Sequence, residues 1–112
     1  MELEKMAEAL GNALVESDIY SRYINAREEL SKDENLFGRT LRFKKDCFYL
    51  HNCSDSDRLD KLKGIYGENY DMVNDKKVKE YLDAELVLCR TVQMINNIII
   101  DKVDMNTDFL DL

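Results

Sequence analysis

Hydrophobic residues recur along the chain at intervals of three and four, and no stretch shows the strict alternation of a half-buried strand. This spacing is typical of amphipathic α-helices, and short polar stretches divide it into five segments. The predicted helices cover about residues 2–15, 18–30, 34–50, 57–73 and 75–103. The pattern therefore predicts an all-α fold, a helical hairpin or bundle of about five helices with a long C-terminal helix.

Polar residues at the ends of these segments support the boundaries. Ser17 and Asp33 directly precede apolar stripes, and the side-chain oxygens of Ser and Asp accept the unpaired N–H groups of a helix start. Residues 51–57 are polar and predict a loop. Gly64 and Gly67 lie inside the fourth segment, where each costs about 1 kcal/mol relative to Ala. The fourth helix therefore has the least intrinsic support.

The composition is that of one globular domain. Hydrophobic residues make up 45% of the chain and charged residues 35%, and no linker or repeat interrupts the pattern. We predict a single domain over residues 1–105 and a short polar tail over 106–112. Three cysteines are an odd number without regular spacing, so a disulfide framework is not expected, and free thiols suit a reducing cytoplasm.

The distribution of hydrophobic residues suggests neither export nor insertion into a membrane. The N-terminus has no apolar h-region, so no secretory signal is expected. The longest uncharged run, residues 91–100, is about half the length of a membrane-spanning helix. We therefore predict a cytoplasmic protein without a membrane partner.

The last predicted helix changes character near its middle. Its first half has one apolar face, formed by Val78, Tyr81, Leu82, Leu88 and Cys89. From Val92 onward the apolar residues, Ile100 included, cover about two-thirds of the circumference, against the ~100° stripe that packing on one core requires. The residues predicted to form an interface are Val92, Met94, Ile95, Ile98, Ile99 and Val103.

A second apolar face on one helix needs a second partner, most simply another copy of the chain. We therefore predict a homo-oligomer, a dimer or tetramer that associates into a larger helical bundle. The alternative is that the monomer itself wraps this half of the helix. Oligomer burial is favoured because large exposed apolar patches are rare on soluble monomers.

Glu85 and Asn96 are polar residues within the apolar arc of the last helix. If Glu85 is buried, its carboxylate needs a cation or hydrogen-bond donors, and Arg27 and Arg42 are the candidate partners. If Glu85 lies at the edge of the arc, it reaches water.

The charge balance argues against nucleic acid as a direct partner. Sixteen basic and 23 acidic residues give a formal charge of −7, which repels phosphate backbones. The one dense basic patch consists of Arg39, Arg42, Lys44 and Lys45. We interpret it as a solvated helix face.

Cys47, His51 and Cys53 form the one pattern that resembles a set of metal ligands, and Asp55 or Asp57 could complete a tetrahedral zinc site. However, Cys47 also lies in an apolar arc, where a buried thiol is common, and the spacing matches no zinc-finger pattern. A zinc- or iron–sulfur-dependent regulator therefore stays the alternative, and no cofactor is otherwise predicted.

Catalysis has little support. The chain has one histidine and lacks a Gly-rich phosphate loop and a nucleophile elbow, so we predict a non-enzymatic protein.

Four short motifs occur in a characteristic order. Residues 9–20 read A-L-G-N-A-L-V-E-S-D-I-Y, residues 23–30 and Asp33 follow, then residues 36–43, and residues 79–85 read K-E-Y-L-D-A-E at the start of the long apolar helix. In this order and spacing the chain resembles the YlbF/YmcA-like family of small all-helical bacterial regulatory proteins. The resemblance covers nearly the whole chain.

The resemblance implies long helical hairpins that associate as dimers or larger bundles, and a cytosolic, non-enzymatic regulatory role. Characterised members assemble with related partners and affect competence, sporulation and biofilm development, one route being the ribonuclease that processes messenger RNA. Several members also bind iron–sulfur clusters through cysteines near the C-terminus. This chain has no cysteine after Cys89, so the cluster is not expected, and the departure puts that ribonuclease partnership in doubt.

Overall fold

The computed structural model of the protein describes residues 1–52 and 56–103, and all regular structure in these ranges is α-helical. The helices are α1 (Glu2–Val15), α2 (Asp18–Ser31), α3 (Glu34–Asn52), α4 (Arg58–Glu68), α5 (Tyr70–Val73) and α6 (Lys76–Lys102). The predicted all-α fold with a long last helix is confirmed. No helix in the described part of the chain has the length and apolar content to cross a membrane.

Side-chain caps define three of the helix starts. The Ser17 hydroxyl accepts the N–H of Tyr20 at 3.3 Å, and Asp33 Oδ1 accepts the N–H of Leu36 at 3.0 Å. Asp75 Oδ1 accepts the backbone N–H groups of the first turn of α6, at 2.8 and 3.3 Å. These caps satisfy N–H groups that have no partner within the helix, and they therefore stabilise the starts of α2, α3 and α6.

Two of the predicted boundaries are wrong. His51 lies in the last turn of α3 and not in a loop. The fourth predicted helix is divided at Asn69, whose backbone leaves the helical region at φ −109° and ψ 19°. The Asn69 amide donates to the Ile65 carbonyl at 2.9 Å and its Oδ1 accepts from Arg39 at 3.2 Å. Asparagine readily makes such local bonds, which compete with continued helix.

The core lies where α2 packs along the first half of α6, with α3 and α5 beside them. The Tyr81 ring is almost fully buried, stacked on Tyr23 at 5.9 Å between centroids and edge-on to Phe37 at 6.2 Å. The buried residues of this core are Ala26, Leu30, Phe43, Met72, Val78, Tyr81 and Ala84. Helices α2 and α6 are antiparallel, since Arg22 is close to Glu80 and Asp83, whereas Glu29 is close to Lys77.

On α3, the spacing of Leu41 and Phe48 predicts a packed stripe, but both side chains point outward. Leu41 is 43% exposed and Phe48 is 71% exposed, whereas Thr40 is fully buried with its hydroxyl bonded to the Leu36 carbonyl at 2.8 Å. Leu41 and Phe48 are seven residues apart, so they share a stripe that lies beside the buried one. In α6, Cys89 was also predicted to lie on the packed face, but it is exposed.

Helix α1 is almost separate from the core. It contacts α2 and buries no side chain, although its apolar residues have the spacing of a packed helix face. The Cα radius of gyration is 17.9 Å, against roughly 13 Å for a compact domain of this length. The monomer is therefore extended, and its core occupies only part of the chain.

Candidate interaction surface

The second half of α6 extends beyond the core. Its first half contributes the buried residues Val78, Tyr81 and Ala84, but none of the residues from 91 to 103 is buried. The apolar residues there are Val92, Met94, Ile95, Ile98, Ile99, Ile100 and Val103, which we call the terminal face. Ile95 is half-buried, and the others are 39–53% exposed.

The terminal face includes all six residues that the sequence predicted as an interface, and Ile100 in addition. A side chain on the outer side of a packed helix is polar in most soluble proteins, because exposed apolar area is unfavourable in water. Here contiguous branched side chains remain about half exposed along roughly three turns. The described residues do not wrap this half of α6, contrary to the alternative that the monomer covers it. That the terminal face binds a partner stays a prediction.

A second exposed apolar surface lies on α1. It consists of Leu3, Met6, Leu10 and Leu14, which we call the N-terminal face; the first three are 42–67% exposed and Leu14 is half-buried. The spacing of these residues along the chain predicts a packed stripe, but the monomer leaves most of it uncovered. Gly11 lies beside the stripe, and a Cβ atom built on it would meet no other atom within 4 Å. The structure thus leaves the outside of α1 open along its length.

Glu85 is bound by Lys44 of α3, and the predicted pairing with Arg27 or Arg42 is wrong. Lys44 Nζ donates to the Glu85 carboxylate and, at 2.8 Å, to the Tyr81 hydroxyl. Arg27 instead lies over the Tyr23 ring, 5.6 Å from its centroid. Arg42 faces away because two residues along a helix correspond to a rotation of about 200°.

The pKa shifts of Lys44 and Tyr81 follow from this geometry. Lys44 and Glu85 are only 28% and 26% exposed. Burial lowers the pKa of Lys44, but its hydrogen bonds to Glu85 and Tyr81 outweigh that effect and raise the pKa above its usual value. Burial also raises the pKa of Tyr81. The cluster links α3 to α6 just before the terminal face begins.

The basic patch on α3 is partly neutralised within the chain. Arg39 makes a two-pronged ion pair with Asp71, at 2.8 and 2.9 Å, and Lys44 binds Glu85. Two of its four cations are therefore already paired with carboxylates.

The metal-ligand pattern gains no support. Cys47 is half-buried and His51 is exposed, whereas Cys53 and Asp55 lie outside the described residues. Burial raises the pKa of Cys47, which favours the protonated thiol over the thiolate that metals bind. Within residues 1–52 and 56–103, no three side chains of His, Cys, Asp or Glu are grouped to hold a metal ion.

Two grooves lie on the described surface. One, of about 630 Å³, lies between α2 and the start of α6, and the other, of about 450 Å³, lies between α3 and α4. Neither is lined by a histidine or a cysteine. Their charged side chains include Arg22 and Glu80, which form an ion pair at 2.7 Å across the larger groove.

Fold and surface together define a small all-α protein whose helices form a partial core and leave two apolar helix faces uncovered. The chain belongs to the family described as "Control of competence regulator ComK, YlbF/YmcA", whose model matches residues 3–104. The family resemblance predicted from the four motifs is therefore confirmed. The family is one of regulators, and the chain accordingly has a regulatory role.

Two relatives, each called "UPF0342 protein", are similar over nearly their full length. The one from Caldicellulosiruptor saccharolyticus is 31% identical over 116 residues, covering 96% of this chain and 92% of its own. The one from Caldicellulosiruptor bescii is 31% identical over 112 residues, covering 92% and 89%. No solved structure matches the chain.

Proposed function

We propose that the protein is a non-enzymatic protein–protein interaction module, a cytoplasmic regulatory subunit of a bacterial developmental or RNA-processing control complex. The observation that carries the proposal is the exposure of the terminal face. Family membership supports the regulatory part, because the family description concerns control of another regulator. The interaction part depends on the surface itself.

The terminal face can supply a useful binding free energy. Fully burying an aliphatic side chain contributes about 1.5–3 kcal/mol, so each half-exposed residue has roughly 1 kcal/mol still to contribute. Six such residues offer about 6 kcal/mol before the cost of association. A helical partner suits this surface best, because the exposed side chains follow one helix for about three turns.

The partner is a protein and not a nucleic acid in this proposal. The chain has a net charge of −7, and two of the four cations of the basic patch are engaged by Asp71 and Glu85. The expected partners are a second copy of the chain, in a dimer or tetramer, and related family members.

The test compares Ile98→Asp with Leu59→Asp. Both substitutions replace an exposed aliphatic residue by a carboxylate, but Leu59 lies on α4, away from the terminal face. Self-association is measured by light scattering on a sizing column at micromolar concentration, and bound proteins are captured from the native cell. Ile98→Asp is expected to lose both, while Leu59→Asp keeps them.

Two results would contradict the proposal. One is a wild-type chain that is monomeric, captures no protein and binds no hydrophobic dye. The other is an Ile98→Asp variant that assembles and captures partners like the Leu59→Asp control.

A further inference from the structure

We propose that the terminal face of one copy is covered by helix α1 of a second copy, and that the exchange is reciprocal. In the resulting two-fold dimer, each chain contributes its N-terminal face to the α6 of the other. This inference rests on the proposed function and adds the identity of the segment that occupies the surface.

The connectivity places α1 suitably for this exchange. Helix α2 is antiparallel to α6, so the start of α2 points in the direction in which the terminal face extends. Only Glu16 and Ser17 separate α1 from α2, so α1 leaves the core at that same end. Because α1 buries no side chain in the monomer, it can pack on another chain without removing anything from the core.

The two faces match in length. Helix α1 has 14 residues and is about 21 Å long at 1.5 Å per residue. The segment 91–103, which carries the terminal face, is about 20 Å long by the same measure. One helix can therefore cover the other from end to end.

Charge distinguishes this pairing from one alternative. Helix α1 has Glu2, Glu4 and Glu8 against Lys5, a net charge of −2, whereas residues 91–103 have Lys102 against Asp101 and carry no net charge. Two α1 helices packed together would bring acidic helices into contact, and packing α1 on the terminal face avoids that repulsion.

The exposed apolar area reaches the size of a small interface. Nine side chains of the two faces, Leu14 and Ile95 aside, are on average about half exposed. With on the order of 100 Å² of apolar surface per aliphatic side chain, they offer about 450 Å² per copy. A reciprocal exchange then buries at most about 900 Å² in the dimer from these residues, to which the half-buried Leu14 and Ile95 add, and this reaches the lower bound of about 1,000 Å² for a biological interface.

The test uses complementation between two variants. The first carries Met6→Asp and Leu10→Asp in the N-terminal face, and the second carries Ile98→Asp and Ile99→Asp in the terminal face. Leu59→Asp is again the control. Circular dichroism and thermal unfolding of each variant as a monomer show that the helices remain, which is expected because all four positions are exposed.

Each variant alone is expected to associate with itself at least about 100-fold more weakly than wild type, because both contacts of its homodimer are damaged. In the mixed dimer, one of the two α1–α6 contacts contains both sets of substitutions. The other contact joins the wild-type α1 of one chain to the wild-type terminal face of its partner. The mixed dimer is therefore expected to form at least about tenfold more tightly than either variant with itself. Light scattering would then show twice the 13.1 kDa chain mass only in the mixture.

Other outcomes overturn the inference and separate it from the proposed function. If the terminal-face variant is monomeric and the α1 variant still dimerises, α1 is not the occupant, but the proposed function stands. If both are monomeric and the mixture does not recover, the faces do not contact each other. If the wild-type chain is monomeric and its terminal face binds a different protein, the occupant is not a second copy. If both variants behave like Leu59→Asp, the proposed function fails as well.

Discussion

Replacing Lys44 by methionine is expected to destabilise the folded chain by about 2 kcal/mol. The substitution keeps the length of the apolar stem and removes the ammonium group that binds Glu85 and the Tyr81 hydroxyl. Exposed ion pairs contribute about 0–1 kcal/mol, and breaking a fully buried pair costs about 3–5 kcal/mol. Since the Lys44 and Glu85 side chains are about a quarter exposed, an intermediate value applies.

A double-mutant cycle isolates this interaction. Urea unfolding is followed by circular dichroism for Lys44→Met, Glu85→Gln and the double variant, at one fixed protein concentration because self-association would add stability. A loss of about 2 kcal/mol lowers the midpoint of thermal unfolding by roughly 10 °C for a domain of this size. The control is Lys45→Met, at the exposed neighbouring position, with an expected effect below about 0.5 kcal/mol.

The pH dependence supplies a second readout. The pKa of Lys44 is raised in the folded state, so its contribution is fully present below the pKa of the unfolded chain and is lost as the pH rises above about 10. The raised pKa of Tyr81 acts in the same direction, and Lys44 lowers that pKa, so wild type and Lys44→Met are compared in a Tyr81→Phe background. The stability difference between wild type and Lys44→Met should therefore shrink above pH 10. Equal effects of Lys44→Met and Lys45→Met, or a coupling energy near zero, would refute the reasoning.

Three further substitutions test individual features of the fold. Arg39 holds the pKa of Asp71 down to about 2, so the stability that this pair contributes is present above pH 4 and is lost as the pH falls to 2. In Asp71→Asn, the free energy of unfolding should therefore depend less on pH between 4 and 2. An unchanged dependence on pH in this range would contradict the prediction. Gly64→Ala should stabilise the chain by up to about 1 kcal/mol, since its Cβ meets no atom within 4 Å, and a lowered melting temperature would show a hidden contact. Asp75→Ala should cost about 1 kcal/mol in thermal unfolding by removing the cap of α6, whereas Asp75→Asn, which keeps a capping oxygen, should cost less.

Local signals in the sequence predicted the helices well where a side chain acts on its own backbone. Ser17 and Asp33 cap helices because their oxygens reach N–H groups three residues ahead, which requires no knowledge of the rest of the fold. The division at Asn69 was missed because Tyr66, Tyr70 and Val73 continue the helical spacing across it. Asn69 also accepts a hydrogen bond from Arg39, thirty residues away in the sequence, and the local spacing does not indicate that contact.

The contact partners of individual side chains were harder to predict than the positions of the helices. Arg42 and Lys44 are both basic residues on α3, and only the rotation of α3 against α6 decides which of them reaches Glu85. Likewise the spacing of Leu41 and Phe48 suits a packed stripe, but the helices available to cover α3 lie on its other side. Composition alone cannot distinguish these cases.

The two uncovered faces differ in how far the sequence predicts them. A periodic pattern indicates that one side of a helix is apolar, but the identity of what covers it depends on the tertiary arrangement. The terminal face was predicted because its arc is wider than one core can cover, which is a property of the helix itself. The N-terminal face has an ordinary stripe, and only its position beyond the core reveals that the monomer leaves it open. Two uncovered faces of similar length at the same end of one chain are most simply explained as halves of one contact. In that arrangement, α1 and the end of α6 complete their packing only in the assembled protein.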